Sequence, residues 1–179
     1  MNSAPVPSPK RVAIIGPECT GKSELSQYLA EQFGTDWVPE YARGFIDNLT
    51  RPYEIHDLVT IAHGQVRLED SFGRMAHDVV FCDTNLYVIK VWSEFKFGEC
   101  PAEILETIAT RKYDLYLLTY VDIPWQDDPQ REHPDKREEL YQIYLKEMRG
   151  QSVPFVEIRG DRELRRKTSV EAVKKLLDS

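Results

Sequence analysis

Cysteine is scarce in this sequence and shows no pairing pattern. The three cysteines, Cys19, Cys82 and Cys100, are an odd number, and none belongs to a C-x-x-C pair. They therefore predict neither a disulfide framework nor a structural zinc site. The four histidines form no H-x-x-x-H or H-E-x-x-H pair, so they give no sign of metal ligation. Reduced thiols are typical of cytoplasmic proteins, and we expect this chain to be one.

Long apolar runs and an excess of positive charge are also missing. No apolar run approaches the roughly 20 residues of a membrane helix, and the N-terminus lacks the apolar stretch of a signal peptide. The 23 Lys and Arg residues are outnumbered by 30 Asp and Glu residues, which gives a net charge of −7. Nucleic acids and anionic membranes attract positively charged surfaces. We therefore expect no nucleic-acid or membrane partner, and the sequence makes no prediction of the oligomeric state.

Composition and length indicate one globular domain. An apolar share of 41% and a charged share of 30% are ordinary for folded proteins. A chain of 179 residues can bury a core without disulfide staples. Residues 1–9 hold three prolines and two serines, which is typical of a flexible leader. We expect a single domain over residues 10–179.

Short apolar runs alternate with helical patterns along that domain. Leu25, Leu29 and Phe33 recur at four-residue spacing after Gly21, which predicts a helix ending near Gly34. Strands alternating with helices favour a parallel five-stranded α/β sheet with helices on both faces. Ligands of such sheets bind beyond the carboxyl ends of the strands. The predicted strands are 12–15, 37–38, 79–82, 113–119 and 154–158, and the predicted helices include 53–77, 85–96 and 102–111.

The first predicted strand leads into a phosphate-binding motif. Gly16 to Ser23 reads G-x-x-x-x-G-K-S between a strand and a helix, the context that identifies a P-loop; a glycine turn with a structural role only is the alternative. The glycines let the backbone approach phosphates, and the helix N-terminus adds positive potential. Lys22 is expected to reach the β- and γ-phosphates and Ser23 to hold Mg²⁺. The predicted class is thus the three-layer P-loop NTPase fold, and the residues of this loop expected to bind ATP are Gly16, Glu18, Cys19, Thr20, Gly21, Lys22, Ser23 and Glu24.

Asp83 ends the third predicted strand, after four apolar residues. P-loop proteins hold Mg²⁺ with a carboxylate in addition to the loop hydroxyl, so Asp83 is the predicted metal partner of Ser23. The structural alternative for Asp83 is an Asx turn or an N-cap for the helix at 85–96.

The segment Glu40-Tyr41-Ala42-Arg43 follows the second predicted strand. An acceptor hydroxyl needs a carboxylate to receive its proton and cations to balance the transferring phosphoryl group. Glu40 could be this base and Arg43 one of these cations. The alternative is a surface Glu and Arg in the first turn of a helix.

Residues 122–138 are polar and carry three prolines, which predicts an exposed loop or lid. A mobile lid can exclude water and bring an arginine to the γ-phosphate, and Arg131 is the candidate. Trp125 could stack on a flat base. A solvated charge run with a capped tryptophan is the alternative.

Four motifs occur in order along most of the chain: G-x-x-x-x-G-K-S at 16–23, E-Y-x-R at 40–43, F-x-D-T at 81–84 and W-x-D-D-x-x-R at 125–131. Together they resemble the nicotinamide riboside kinase (ribosylnicotinamide kinase) domain of the NadR family, an AAA-type ATP-binding domain. The resemblance implies ATP- and Mg²⁺-dependent phosphorylation of the 5′-hydroxyl of nicotinamide riboside to nicotinamide mononucleotide, a step of NAD biosynthesis.

The same resemblance implies roles for individual residues. Glu40 and Asp83 would lie around the acceptor hydroxyl and Mg²⁺, and Lys22 and Arg131 would stabilise the transferring group. Related kinases wrap adenine near Gly160 and Asp161, although Asp161 could also be a helix N-cap. Pro17, Cys19 and Thr20 are larger than the Gly and Ser residues of the family pattern, and Asn85 replaces an acidic residue. The residues implied to surround the nucleoside are Glu40, Tyr41, Arg43, Asp83, Asn85 and Trp125.

Two other functions stay open at this point. The first is the same chemistry on another nucleoside, a nucleotide or a vitamin alcohol. The second is a nucleotide-dependent switch or regulatory ATPase module that binds a partner protein. The sequence contains no H-x-G-H motif, so we expect neither adenylyltransferase nor DNA-binding repressor activity from this chain.

Overall fold

In a computed structural model, which describes residues 8–179, β-strands alternate with α-helices. Apart from Ser8 and Pro9, the leader expected at residues 1–9 lies outside the described residues. Within residues 8–179, no helix is both long enough and apolar enough to cross a membrane. The strands are β1 (Lys10–Ile15), β2 (Trp37–Val38), β3 (Val79–Asp83), β4 (Leu115–Thr119) and β5 (Phe155–Ile158). The helices are α1 (Lys22–Phe33), α2 (Tyr41–Asp47), α3 (Ile55–Met75), α4 (Leu86–Phe97), α5 (Ala102–Thr110), α6 (Arg137–Gly150) and α7 (Arg162–Leu177).

The strands form one parallel sheet in the order β2-β3-β1-β4-β5. Val12 in the central strand β1 lies opposite Phe81 of β3 on one side and Leu115 of β4 on the other. Because all strands run the same way, their carboxyl ends meet at a single edge. The segments that follow β1, β2, β3 and β4 therefore converge there, with the loop after β1 in the middle.

Helices cover both faces of the sheet. Successive side chains of a strand point to opposite faces, and those of the central strands are apolar on both. Val12 and Ile14 pack with α1 and α7 on one face, whereas Ala13 and Ile15 pack with α3, α4 and α6 on the other. A further apolar cluster joins α2 and α5 to α3 and α4. This three-layer arrangement confirms the predicted P-loop NTPase fold class.

Element boundaries differ from the prediction in a few places. β4 begins at Leu115 rather than residue 113. Just before it, the Asp114 side chain accepts the backbone N–H of Arg11 (2.8 Å). The short helix α2 was foreseen only as an alternative for Glu40 and Arg43. Only Ala42 of its seven residues is buried, so the sequence there lacks the apolar spacing that predicts a helix. The polar loop at 122–138 ends in a 3₁₀ turn at Pro134–Lys136, and α6 starts at Arg137.

Candidate active site

The loop after β1 is shaped by two glycines. Gly16 has a φ of 140°, and a Cβ atom there would lie 2.5 Å from Oγ1 of Thr119 and 2.7 Å from its carbonyl oxygen. Gly21 has a φ of 76° and caps the N-terminus of α1. Neither conformation suits a residue with a side chain, and glycine at position 16 also lets the loop pass close to β4.

Buried hydroxyl and guanidinium groups hold the same loop in place. The Thr20 hydroxyl donates to the carbonyl oxygen of Pro17 (2.8 Å) and lies 2.7 Å from the Thr119 hydroxyl at the end of β4. Arg165 of α7 is buried and donates to the carbonyl oxygen of Thr20 and to the carboxylate of Asp122. Sequence reasoning missed Arg165 and Thr119. Their contacts with Thr20 span 145 and 99 residues along the chain and leave no local pattern.

Lys22 directs its ammonium group back into the loop. Its Nζ atom donates to the carbonyl oxygens of Gly16 (3.0 Å) and Pro17 (2.7 Å). Burial lowers the pKa of Lys22 from its usual value, and the nearby carboxylates, Glu40 first, oppose that shift. A cation is thus held at the centre of the loop, where a bound phosphate would meet it.

Ser23 and Asp83 meet at the edge of the sheet, as the sequence predicts. The Ser23 hydroxyl donates to Oδ2 of Asp83 (2.5 Å), whereas Oδ1 of Asp83 is buried without a hydrogen-bond partner. Burial raises the pKa of Asp83 above its usual value. Among residues 8–179, no group of three or more His, Cys, Asp or Glu side chains is arranged to hold a metal ion. A hydroxyl and one free carboxylate oxygen nevertheless fit Mg²⁺, which keeps waters and phosphate oxygens as its other ligands.

Glu40 and Arg43 lie across the cavity from the loop, at the start of α2. Burial first, and then the charge of Asp83, raises the pKa of Glu40 above its usual value, while Lys22 and Arg43 act in the opposite direction. A carboxylate with a raised pKa is well matched to accepting a proton near neutral pH. Arg43 is partly exposed and forms an ion pair with Asp128 (2.9 Å).

The loop after β4, residues 122–136, lies over the phosphate-binding loop and is called the lid from here on. Arg131 of the lid places Nη1 3.4 Å from Sγ of Cys19 and also donates to the carbonyl oxygen of Gln126. On the far side of the cavity, Glu132 accepts hydrogen bonds from Lys96 (2.8 Å) and from the hydroxyl of Tyr53 (3.0 Å). The lid thus touches both walls of the cavity.

One cavity of about 850 Å³ is lined by Lys22, Ser23, Glu40, Arg43 and Arg131. It extends from the phosphate-binding loop to an aromatic wall of Tyr53, Trp92 and Phe95. Nε1 of Trp92 donates to the Tyr53 hydroxyl (2.7 Å), and their rings lie 4.8 Å apart. Sequence reasoning missed this wall, since Trp92 and Phe95 were visible only as members of a predicted helix.

Four residues that the resemblance places around the nucleoside do not line this cavity: Tyr41, Asp83, Asn85 and Trp125. Asp83 is buried behind Ser23, which does line the cavity. The Tyr41 ring packs directly on the backbone of Gly64 in α3. Asn85 is fully buried and caps α4 by accepting the backbone N–H of Tyr87 (3.0 Å). Trp125 donates to the carboxylate of Asp127 (2.9 Å) within the lid.

Glu24, Gly160 and Asp161, which are predicted to bind ATP, line the cavity. Each of them also contacts other residues of the protein. Asp161 caps α7 by accepting the N–H of Leu164 (2.9 Å), which confirms the N-cap alternative, and the N–H of Gly160 donates to Asp122. Glu24 binds Arg162 (2.9 Å) and Arg166 of α7. This end of the cavity is therefore fixed by contacts between α1, the lid and α7.

Comparison with known proteins places this architecture in a family. A family model described as "AAA domain" matches residues 11–165. The chain belongs to that family.

This AAA domain is also similar to individual proteins, and the predicted resemblance to NadR is confirmed. It is 25% identical over 177 residues to the trifunctional NAD biosynthesis/regulator protein NadR of Salmonella typhimurium, covering 94% of this chain and 43% of the relative. The chain thus spans less than half the length of that relative. A crystal structure of an NadR protein in complex with NR shares its fold with a TM-score of 0.77 at 21% identity, covering 96% of this chain and 52% of that one. Thymidylate kinase from Ehrlichia chaffeensis gives a TM-score of 0.64 at 13% identity, covering 93% and 100%.

Proposed function

We propose that this chain is an ATP-dependent kinase that phosphorylates the 5′-hydroxyl of nicotinamide riboside to give nicotinamide mononucleotide. The observation that carries the proposal is a single cavity that joins the phosphate-binding loop to the Glu40 carboxylate beneath a lid that carries Arg131. Similarity to NadR, one of whose structures was solved in complex with NR, supports the choice of acceptor.

The donor side of the cavity is suited to the triphosphate of ATP. The glycine-shaped loop and the N-terminus of α1 offer backbone N–H groups to phosphate oxygens, and Lys22 adds a cation. Ser23 and Asp83 would hold Mg²⁺ through the hydroxyl and the free carboxylate oxygen, and this ion would neutralise phosphate charge. The adenine would lie toward Gly160 and Asp161.

On the acceptor side, Glu40 is the proposed base for the ribose hydroxyl. Its raised pKa lets the carboxylate accept the hydroxyl proton as the oxygen attacks the γ-phosphorus atom of ATP and ADP departs. Lys22 and Arg131 would balance the charge of the phosphoryl group during this in-line transfer. The lid would exclude water, so that the nucleoside hydroxyl is the nucleophile.

The nicotinamide ring matches the wall opposite the phosphate-binding loop. In nicotinamide riboside this ring carries a positive charge, and cations are attracted to the faces of aromatic rings. Trp92 and Phe95 supply such faces, whereas the ammonium group of Lys96 lies 3.7 Å from the centre of the Tyr53 ring. The carboxylate of Glu40 adds negative potential, and that of Glu132 is paired with Lys96 (2.8 Å). A neutral nucleoside base would gain less from these surroundings.

The test is ADP release from Mg·ATP measured against a panel of acceptors, with the product identified by mass spectrometry. We expect nicotinamide riboside to raise ADP release far above the buffer rate and above adenosine, thymidine and pantothenate. Glu40→Gln should lower turnover about 10²-fold, whereas Glu31→Gln, at an exposed position of α1, should not. A higher rate with another acceptor would assign the chain to that acceptor, and ADP release that no acceptor raises would favour a regulatory ATPase.

A further inference from the structure

The carboxylate of Glu18 contacts the backbone of the lid. Its Oε2 atom accepts hydrogen bonds from the backbone N–H groups of Glu132 (3.0 Å) and His133 (3.1 Å). These two residues directly follow Arg131. The carboxylate therefore fixes the lid backbone at the position from which the proposed catalytic arginine extends.

Cys19, the next residue of the loop, also forms hydrogen bonds with the lid and with the start of α6. It adopts a φ of 54°, which residues with side chains rarely do, and its Sγ atom accepts the N–H of Gln126 (3.2 Å). Its carbonyl oxygen accepts a hydrogen bond from Arg137 (3.1 Å), at the start of α6. Glu18 and Cys19 thus hold the lid at Gln126 and at Glu132–His133.

Phosphate binding does not account for these side-chain contacts. In a P-loop the phosphates are held by backbone N–H groups, the lysine and the hydroxyl of the last residue, which here are contributed by Gly16 to Ser23. The carboxylate of Glu18 repels phosphate, and its presence in the loop calls for another role. Holding the lid through the N–H groups of Glu132 and His133 is such a role.

We propose that Glu18 is a positioning residue that acts through the lid backbone to place Arg131 over the transferring phosphoryl group and to keep water out. This role rests on the proposed kinase function, in which Arg131 stabilises the phosphoryl group. It predicts that an accepting oxygen at position 18 matters more than its charge, because the partners are neutral N–H groups. Glu18→Gln keeps such an oxygen, and Glu18→Ala removes it.

The first experiment is a double-mutant cycle with Arg131. We expect Glu18→Ala to lower acceptor-dependent kcat about tenfold and to raise the fraction of ADP formed without phosphorylated acceptor. Glu18→Gln should recover most of the loss. In an Arg131→Ala background, Glu18→Ala should change kcat less than twofold, since the residue through which it acts is already gone. Losses that multiply in the double variant would overturn the proposal, as would a Gln variant no better than Ala.

The second experiment does not depend on activity. Trypsin cuts after arginine, and the bond between Arg131 and Glu132 includes the N–H that Glu18 holds. We expect Glu18→Ala to be cut at this bond at least fivefold faster than the wild type, measured by mass spectrometry of the fragments. Glu18→Gln and the surface control Glu171→Ala, at an exposed position of α7, should be cut at the wild-type rate.

The two experiments separate the two proposals. Cleavage of Glu18→Ala at the wild-type rate would show that Glu18 does not hold the lid, whatever the enzyme does. Fast cleavage together with ADP release that no acceptor raises would leave Glu18 as the residue that holds the lid and would reject the kinase function. Circular dichroism melting of each variant confirms that it is folded before either measurement.

Discussion

Glu40 lies in surroundings that oppose its negative charge. Burial and the neighbouring Asp83 both raise its pKa, and a structural role would not require such a position. Functional groups are often placed at a cost in stability. At the scale of a single residue, substitution of Glu40 is therefore expected to change the stability of the fold as well as turnover.

We expect Glu40→Gln to be more stable than the wild type at neutral pH, by a margin that grows as the pH rises. Above the usual carboxyl pKa, the folded wild type binds more protons at this site than the unfolded chain, so its free energy of unfolding falls as pH rises through the raised pKa. The Gln variant lacks this decrease. Urea unfolding between pH 5 and pH 8 measures the difference, with Glu31→Gln as control. A difference that stays constant with pH would contradict the raised pKa.

At the scale of elements, the first residue of α2 packs against α3. Gly64 of α3 leaves space for the Tyr41 ring, since a Cβ atom there would lie 2.2 Å from it. The next residue, Gln65, is buried and accepts the backbone N–H of Tyr41 through Oε1 (2.9 Å). A glycine inside a 21-residue helix costs about 1 kcal/mol relative to alanine. Here it lets α2 start where Glu40 faces the cavity.

Gly64→Ala should therefore destabilise the protein, by about 1–3 kcal/mol for the overpacked contact, offset in part by the better helix propensity of alanine. Gly73→Ala in the same helix is the matched control. Its Cβ atom would meet only the flexible end of Arg11 at 3.4 Å, so that variant should be neutral or more stable by up to about 1 kcal/mol. Urea unfolding of both variants measures this, and equal stability of the two would show that the Tyr41 contact is not tight.

Elements with a strong local pattern could be predicted from the sequence, and the contacts between elements could not. The P-loop, the Asp83 strand end and the polar lid were found because motif, apolar run and composition are local signals. Trp92 and Tyr53 are 39 residues apart, and only the packing of α4 against the segment before α3 brings them together. Asn85 shows the reverse case. It lies two residues after Asp83 and was implied to contact the nucleoside, but in the structure it caps α4 and is buried.

The whole molecule carries a net charge of −7 and yet has a site suited to a polyanion. Net charge acts at long range and is screened by salt, whereas the phosphate-binding loop acts at contact through N–H groups and Lys22. Ser23 and Asp83 add a place for a divalent cation at the same edge of the sheet. Binding of ATP should therefore depend strongly on Mg²⁺.

Thermal unfolding should report this dependence for the molecule as a whole. A ligand at one hundred times its Kd stabilises the folded state by about 2.7 kcal/mol, which corresponds to several degrees in Tm for a domain of this size. We expect Mg·ATP to raise Tm more than ATP with EDTA. In Asp83→Asn this difference should disappear, whatever the Tm of the variant alone. A difference that persists in Asp83→Asn would remove Asp83 from the metal site.

The way the lid is held has a kinetic consequence. Its contacts with Glu18, Cys19, Tyr53 and Lys96 are made by the protein itself, and none of them requires a γ-phosphate. The lid is therefore held closed by the protein's own contacts, before any contact of Arg131 with a phosphoryl group is counted. If the chain is the proposed kinase, release of ADP must break these contacts. We then expect lid opening, rather than phosphoryl transfer, to limit the rate of steady-state turnover.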